Sequence, residues 1–115
     1  MNYGIYLIDN GNVFARLSCK RIASKGNTQF ILQESIFPDS LKAFQQVALL
    51  YKEGVGSNIF WTGCTNISKD SFVVFVDLLY DSLQLAQRQA TYTQRILDEK
   101  GLTSKLYIRP ILITQ

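Results

Sequence analysis

The sequence predicts a single two-layer α+β domain over residues 1–115, with the element order β-β-β-α-(β)-α-β. Three observations predict this class. Residues 3–37 alternate apolar and polar side chains with a period of two, which is typical of half-buried strands. Two later segments repeat apolar residues every three or four positions, as amphipathic helices do. Short turns separate the first strands, so we expect an antiparallel three-stranded meander and a C-terminal strand packed against two helices.

The meander begins with two strands joined by Asn10-Gly11, a dipeptide that tolerates the positive φ angles of a type I′ turn. The second strand alternates cleanly between two sides. Its apolar side carries Val13, Ala15, Leu17 and Cys19, and its other side carries Phe14, Arg16, Ser18 and Lys20. The segment "SKGN" predicts a second turn, and residues 28–37 predict the third strand. We expect Phe14 and Arg16 to face outward.

The first helix is expected over residues 39–53. Pro38 ends the third strand, and either Asp39 or Ser40 can cap the helix that follows. Apolar residues recur at helical spacing within it, so one side of this helix is expected to face the core. Gly54 can adopt the left-handed conformation of the residue that follows the C-terminus of a helix.

The segment "GVGSN" at 54–58 is interpreted as a helix end and a turn. Its glycines follow a helix, whereas the glycines of a phosphate loop follow a strand and precede a helix.

Two further segments are interpreted as strands. "NIFWT" at 58–62 then predicts a short strand, in which one of Phe60 and Trp61 faces the core and the other is the better binding residue. The C-terminal strand contains Pro110, which lacks a donor for the ladder and therefore favours an edge position.

The second helix is expected to begin at Ser68 or Asp70 and to end at Lys100. In that helix Asp77 and Asp81 would lie on one side, where a solvated face is a simpler interpretation than an acid-base pair. The alternative is a strand over "SFVVFV", with a helix that begins near Asp81, because β-branched and aromatic residues favour strands.

Composition argues against most catalytic mechanisms. The chain has no histidine, which removes Ser-His and Cys-His nucleophiles, imidazole bases and histidine zinc sites. Its two cysteines, Cys19 and Cys64, cannot complete a four-cysteine zinc site, and both are expected to be inert. We therefore expect no enzymatic activity, no cofactor and no bound metal.

The chain is expected to be cytoplasmic and not to enter a membrane. Its N-terminus lacks the basic, apolar and small-residue regions of a signal peptide. The longest apolar run, "FVVFVDLLY", is interrupted by Asp77 and is too short to span a bilayer. A disulfide between the two cysteines is not expected in a reducing compartment.

The sequence favours a protein that acts through protein–protein contact. Only 18% of its residues are charged, against about 25% in ordinary domains, and charge is depleted in the cores of interfaces. We expect a small accessory, adaptor or inhibitor-type protein that forms a homodimer. The predicted contact residues on the helix are Arg88, Tyr92 and Ile96, and those on the sheet are Tyr6, Phe14 and Arg16.

Two alternatives belong to other classes of function. The first alternative is binding of single-stranded nucleic acid. Phe14, Arg16 and Lys20 would share an open sheet face, on which an aromatic ring can stack with bases and basic side chains can contact phosphates. The net charge of +3 does not by itself favour this alternative. The second alternative is a small-ligand pocket between the sheet and the helices, lined by Trp61.

Overall fold

The computed structural model describes residues 5–9, 12–16, 28–67, 69–112 and 114. Over these residues it has six strands and two α-helices. The strands are β1 (Ile5–Asp9), β2 (Asn12–Arg16), β3 (Thr28–Phe37), β4 (Ser57–Trp61), β5 (Phe72–Tyr80) and β6 (Tyr107–Leu112). The helices are α1 (Ser40–Lys52) and α2 (Leu83–Glu99). The predicted α+β class and order of elements are confirmed, with β5 as an additional strand.

The described strands form one antiparallel sheet in the order β2-β1-β4-β5-β3-β6. The predicted hairpin of β1 and β2 is present, but the predicted place of the third strand was wrong, because β3 lies between β5 and β6. Ile31 and Leu32 point to opposite faces of β3, and both are fully buried. Such a strand needs cover on both faces, which it finds in the middle of this sheet and would lack at the end of an open meander.

Residues 72–80 form a strand, so the prediction of a helix from Ser68 or Asp70 was wrong and its alternative is confirmed. The four consecutive residues from Val73 to Val76 are all buried, and a helix on a sheet would expose some of them. The helix begins instead after Ser82, whose hydroxyl accepts a hydrogen bond from Leu85 N at 3.1 Å.

Both helices pack against one face of the sheet. The carboxylate of Asp39 caps α1 by accepting a hydrogen bond from Leu41 N at 2.8 Å, as predicted. Gly54 follows this helix with a φ angle of +79° and donates to Tyr51 O at 2.9 Å. The core between the helices and the sheet is formed mainly by Ala43, Val47, Leu50, Ile59, Val74, Ala86 and Leu97.

The opposite face of the sheet encloses a second core. The chain beyond β4 crosses to the end of β6, where Asn66 N donates to Leu112 O at 3.0 Å and Thr114 N donates to Cys64 O at 2.9 Å. Because β5 and β3 separate β4 from β6 within the sheet, these bonds require the sheet to curl. The concave face buries Ile31, Phe60, Cys64, Val73, Phe75 and Ile111. An open outer sheet face is therefore not present in this part of the chain.

Cys64 is fully buried in this second core and is disulfide-bonded. The sequence contains one other cysteine, Cys19, which lies outside the described residues. Cys64 thus lies in the core, its expected lack of reactivity stays a prediction, and the expectation that it forms no disulfide was wrong. Neither described α-helix combines the length and the hydrophobicity that a membrane crossing requires.

Candidate functional site

The contact residues predicted on the second helix lie on α2. Ala86 belongs to the side of this helix that is buried against the sheet. Leu85 and Tyr92 lie on the other side and are 47% and 61% exposed. Arg88 is exposed beside them, and Ile96 is half-buried at the border between the two sides. The helix therefore presents an apolar and basic stripe to its surroundings.

A groove of about 660 Å³ borders this stripe, between α2 and the segment that leads to β6. Gln94 joins the two walls, because its Oε1 accepts from Leu106 N at 2.8 Å and its Nε2 donates to Ser104 O at 2.9 Å. Arg95 and Glu99 line the groove on the helix side. The exposed side of α2 is thus continuous with a concave surface.

Tyr6, predicted as a contact residue on the sheet, is in the core. It is only 6% exposed, and its ring meets the ring of Phe44 edge to face, with 5.3 Å between the centroids. The prediction that Tyr6 lies on an exposed contact surface was wrong, because β1 pairs with β4 and Tyr6 therefore lies beneath α1. A side chain with so little exposure is not available to a partner.

Phe14 and Arg16 were predicted as contact residues on the sheet and, together with Lys20, as the residues of the nucleic-acid alternative. The backbone of Arg16 pairs with that of Tyr6, but the side chains of Phe14 and Arg16 and the whole of Lys20 lie outside what the structure describes. Ile31 of β3 does not extend this face. It is fully buried in the second core instead, because β3 does not lie beside β2.

Phe60 and Trp61 divide as the sequence predicts, with Phe60 fully buried and Trp61 half-buried. The indole Nε1 of Trp61 donates to Asp70 Oδ1 at 2.6 Å. The indole ring also lies directly over Gly63, where any Cβ atom would overlap with it. Trp61 is therefore held against its own turn, and it lines neither the groove nor the cavity described next.

A second concavity, of about 400 Å³, lies where β1, the loop between α1 and β4, β5 and α2 meet. We call it the Asp77 cavity. Its polar lining residues are Ser57, Asn58, Asp77 and Thr93, and its apolar ones are Ile8, Val55, Val76 and Ile96. Gly54 and Gly56 complete the wall. Apolar walls with a few convergent polar groups are typical of small-ligand sites.

Asp77 stands on an irregularity of β5. Among the described residues it is the only one other than glycine with a positive φ angle, at 65°. Val76 pairs with Leu32 and Tyr80 pairs with Phe30, so four steps along β5 match two steps along β3. This bulge turns the chain out of the ladder and exposes the Asp77 carboxylate, which accepts a hydrogen bond from the hydroxyl of Tyr80.

Ser57 and Asn58 form the first part of β4 at the cavity wall. Asn58 Oδ1 accepts from Ile8 N at 3.2 Å, which ties β1 to this corner of the cavity. Ser57 is 6% exposed, and its hydroxyl has no hydrogen-bond partner within the described part of the chain. A buried hydroxyl without a partner is uncommon and requires an explanation.

The sequence contained only weak signals of this cavity. Asp77 interrupts an apolar strand, and the glycines of "GVGSN" provide room beside it, but the two segments are far apart in the chain. Their meeting depends on the pairing of β4 with β5, in which Ser57 lies opposite Val76.

Comparison of the chain with protein-family models, with curated proteins and with solved structures gave no match.

Proposed function

We propose that this protein is a non-catalytic protein-interaction module that forms a homodimer through the exposed side of α2. The observation that carries the proposal is the α2 stripe, which we define as Leu85, Arg88, Tyr92, Arg95 and Glu99. All five residues are exposed. They follow one another at steps of three and four residues, which places them along one side of a helix. Tyr92 lies at the centre of the stripe, and tyrosine is one of the residues most often found at binding hot spots.

Large apolar side chains are concentrated on the helical layer. Nine such side chains are exposed in the described part of the chain, and six of them lie in α1 or α2. Leu83, Leu85 and Tyr92 lie in α2, and Leu41, Leu49 and Tyr51 lie in α1. Exposed apolar area on one layer is typical of a surface that a partner covers.

The charges of the stripe favour a second copy of this chain as the partner. Arg88 lies in the first half of α2, whereas Glu99 is its last residue. When two copies of the helix lie antiparallel and the two-fold axis passes between residues 93 and 94, Arg88 of each copy faces Glu99 of the other and Tyr92 faces Arg95. A parallel arrangement would set like charges opposite each other. Two-fold symmetry is the commonest symmetry of homodimers, and it permits this antiparallel arrangement.

The first test measures molar mass by light scattering over a range of concentrations. The wild-type chain is expected to show a concentration-dependent dimer. Tyr92→Ala is expected to weaken dimerisation about 30-fold, because a central aromatic residue contributes about 2 kcal/mol to an interface. Tyr107→Ala is the matched control, since Tyr107 is 56% exposed but lies on β6.

A charge exchange tests the antiparallel geometry. Arg88→Glu and Glu99→Arg are each expected to weaken the dimer, and the double variant is expected to restore it. Within one helix the two residues are about 16 Å apart, at 1.5 Å per residue, so they cannot restore each other inside one chain. Restoration therefore requires contact between two copies.

A wild-type chain that stays monomeric at every concentration would overturn the proposal. So would an equal loss of dimer in Tyr92→Ala and Tyr107→Ala, because the interface would then not be centred on α2. A dimer that is lost in both single charge variants and is not regained in the double variant would exclude the antiparallel arrangement.

A further inference from the structure

We infer that the Asp77 cavity binds a small aliphatic primary amine, whose ammonium group is held by the Asp77 carboxylate. No residue of the α2 stripe lines this cavity, so the inference does not depend on the homodimer. Asp77 is the only charged residue among the described ones that line it. The charge of the site therefore selects a cation over an anion.

The backbone at Asp77 supports a role for this carboxylate beyond the fold. A positive φ angle is uncommon outside glycine, although aspartate and asparagine adopt it more readily than other residues, and such positions are often found at ligand sites. A regular β5 would avoid this conformation by continuing its pairing with β3. The bulge instead presents the carboxylate at the edge of the cavity, where one hydrogen bond from Tyr80 leaves further acceptor positions on its two oxygens.

The buried hydroxyl of Ser57 is a second, independent observation. Ser57 lines the cavity, and its hydroxyl oxygen, which is covered from solvent in this structure, has no hydrogen-bond partner among the described residues. After rotation about the Cα–Cβ bond toward the cavity, this hydroxyl could accept a hydrogen bond from an ammonium group, which has three donors. A ligand of this kind would supply the missing partner, whereas an apolar ligand would leave the hydroxyl unsatisfied at a cost of about 1–3 kcal/mol.

The apolar part of the wall determines the rest of the ligand. Ile8, Val55, Val76 and Ile96 are aliphatic, and they suit a hydrocarbon chain better than a second polar group. Gly56 leaves the space beside it open, because a Cβ atom built there would meet nothing within 4 Å. The cavity volume of about 400 Å³ lies within the range of known ligand pockets.

Lys100 is the nearby group that would favour an anion instead. Its Nζ lies 3.3 Å from where a Cβ of Gly54 would stand. Lys100 is exposed, however, and it is not among the residues that line the cavity. The experiment must therefore compare an amine with an acid of the same length.

The test uses hexylammonium, hexanol and hexanoate as probes of equal chain length. Each is titrated into the isotopically labelled full chain, and amide chemical shifts are followed by NMR. Hexylammonium is expected to give saturable shifts at Gly54, Gly56 and Asp77, and to bind at least about tenfold more tightly than hexanol. Hexanoate is expected to bind more weakly still.

Two variants act on opposite sides of the site. Asp77→Asn keeps a residue type that accepts positive φ but removes the charge, so hexylammonium affinity is expected to fall about tenfold or more. Gly56→Leu is expected to fill the cavity and to abolish the shifts. Asp81→Asn is the matched control, because it removes the same charge four residues away and keeps an acceptor for Gln29.

Several results would overturn the inference. They are equal binding of hexanol and hexylammonium, tighter binding of hexanoate, or unchanged binding in Asp77→Asn. Unfolding midpoints of all variants are measured alongside. If one variant does not fold, the other still decides, because Gly56→Leu tests the space and Asp77→Asn tests the charge.

Discussion

Replacement of Phe60 by alanine is the sharpest test of the second core. Phe60 is 0% exposed and lies on the concave face of the sheet. Its ring meets that of Phe75 edge to face, at 6.5 Å between centroids and 71° between planes. If the curl of the sheet is correct, Phe60→Ala opens a cavity inside a closed core. If this face were open, the same change would have little effect.

The expected loss of unfolding free energy is about 4 kcal/mol. Truncation of a fully buried phenylalanine costs about 3–5 kcal/mol, whereas surface substitutions stay within about 0.5 kcal/mol. The ring pair adds a coupling of about 0.5–1.5 kcal/mol, which a double-mutant cycle with Phe75→Ala would isolate. With a urea dependence of about 1.5 kcal/mol per molar, the unfolding midpoint is expected to fall by roughly 2–3 M.

Equilibrium urea unfolding, followed by circular dichroism, measures this loss. Phe60→Leu keeps most of the volume and serves if the alanine variant does not fold. Tyr107→Ala is the exposed aromatic control. A loss below about 1 kcal/mol for Phe60→Ala, or a loss equal to that of Tyr107→Ala, would refute the buried concave face.

Three further predictions concern stability and are also measured by urea unfolding. Asn66→Ala removes the acceptor Oδ1, 3.2 Å from Leu112 N, and is expected to cost about 1 kcal/mol. Asp39→Ala removes the cap on Leu41 N and is expected to cost about 1 kcal/mol as well. Reduction of the disulfide at Cys64 is expected to cost about 2–4 kcal/mol.

Each of these predictions has its own control. Asn66→Asp keeps a side-chain acceptor and is expected to lose less than the alanine variant. Asp39→Ser keeps a capping oxygen and is expected to stay near the wild type. Thiol titration of the unreduced protein checks the disulfide, and a free thiol at Cys64 would contradict it.

The disulfide also bears on the expected compartment. The cytoplasmic expectation came from the N-terminal sequence and stays a prediction. Disulfides persist mainly in oxidising compartments and are rare in the cytosol. The bond at Cys64 therefore counts against that expectation.

Part of the candidate site was predictable from periodicity alone. Arg88 and Tyr92 stand four residues apart in an amphipathic helical pattern, and both are exposed on α2. Tyr6 was misplaced because alternation along a strand identifies two sides without saying which side a helix covers. The Asp77 cavity was not predictable, since its lining residues come from four separate elements.

The sequence by itself determined the features that depend on neighbouring residues. The β1–β2 hairpin, the Asp39 cap of α1 and the edge position of the strand with Pro110 all follow from local turns, hydrogen bonds or a missing donor. These interactions act within a few residues, so the pattern predicts them without knowledge of the fold.

Only the tertiary structure decided the state of residues 72–80 and the place of β3. An apolar run such as "FVVFVDLLY" suits either a helix or a strand, and burial on both faces selects the strand. That burial arises because α1 and α2 cover one face while the bonds from Cys64 and Asn66 to the end of β6 curl the other face closed. Those contacts join distant parts of the chain, and no local pattern encodes them.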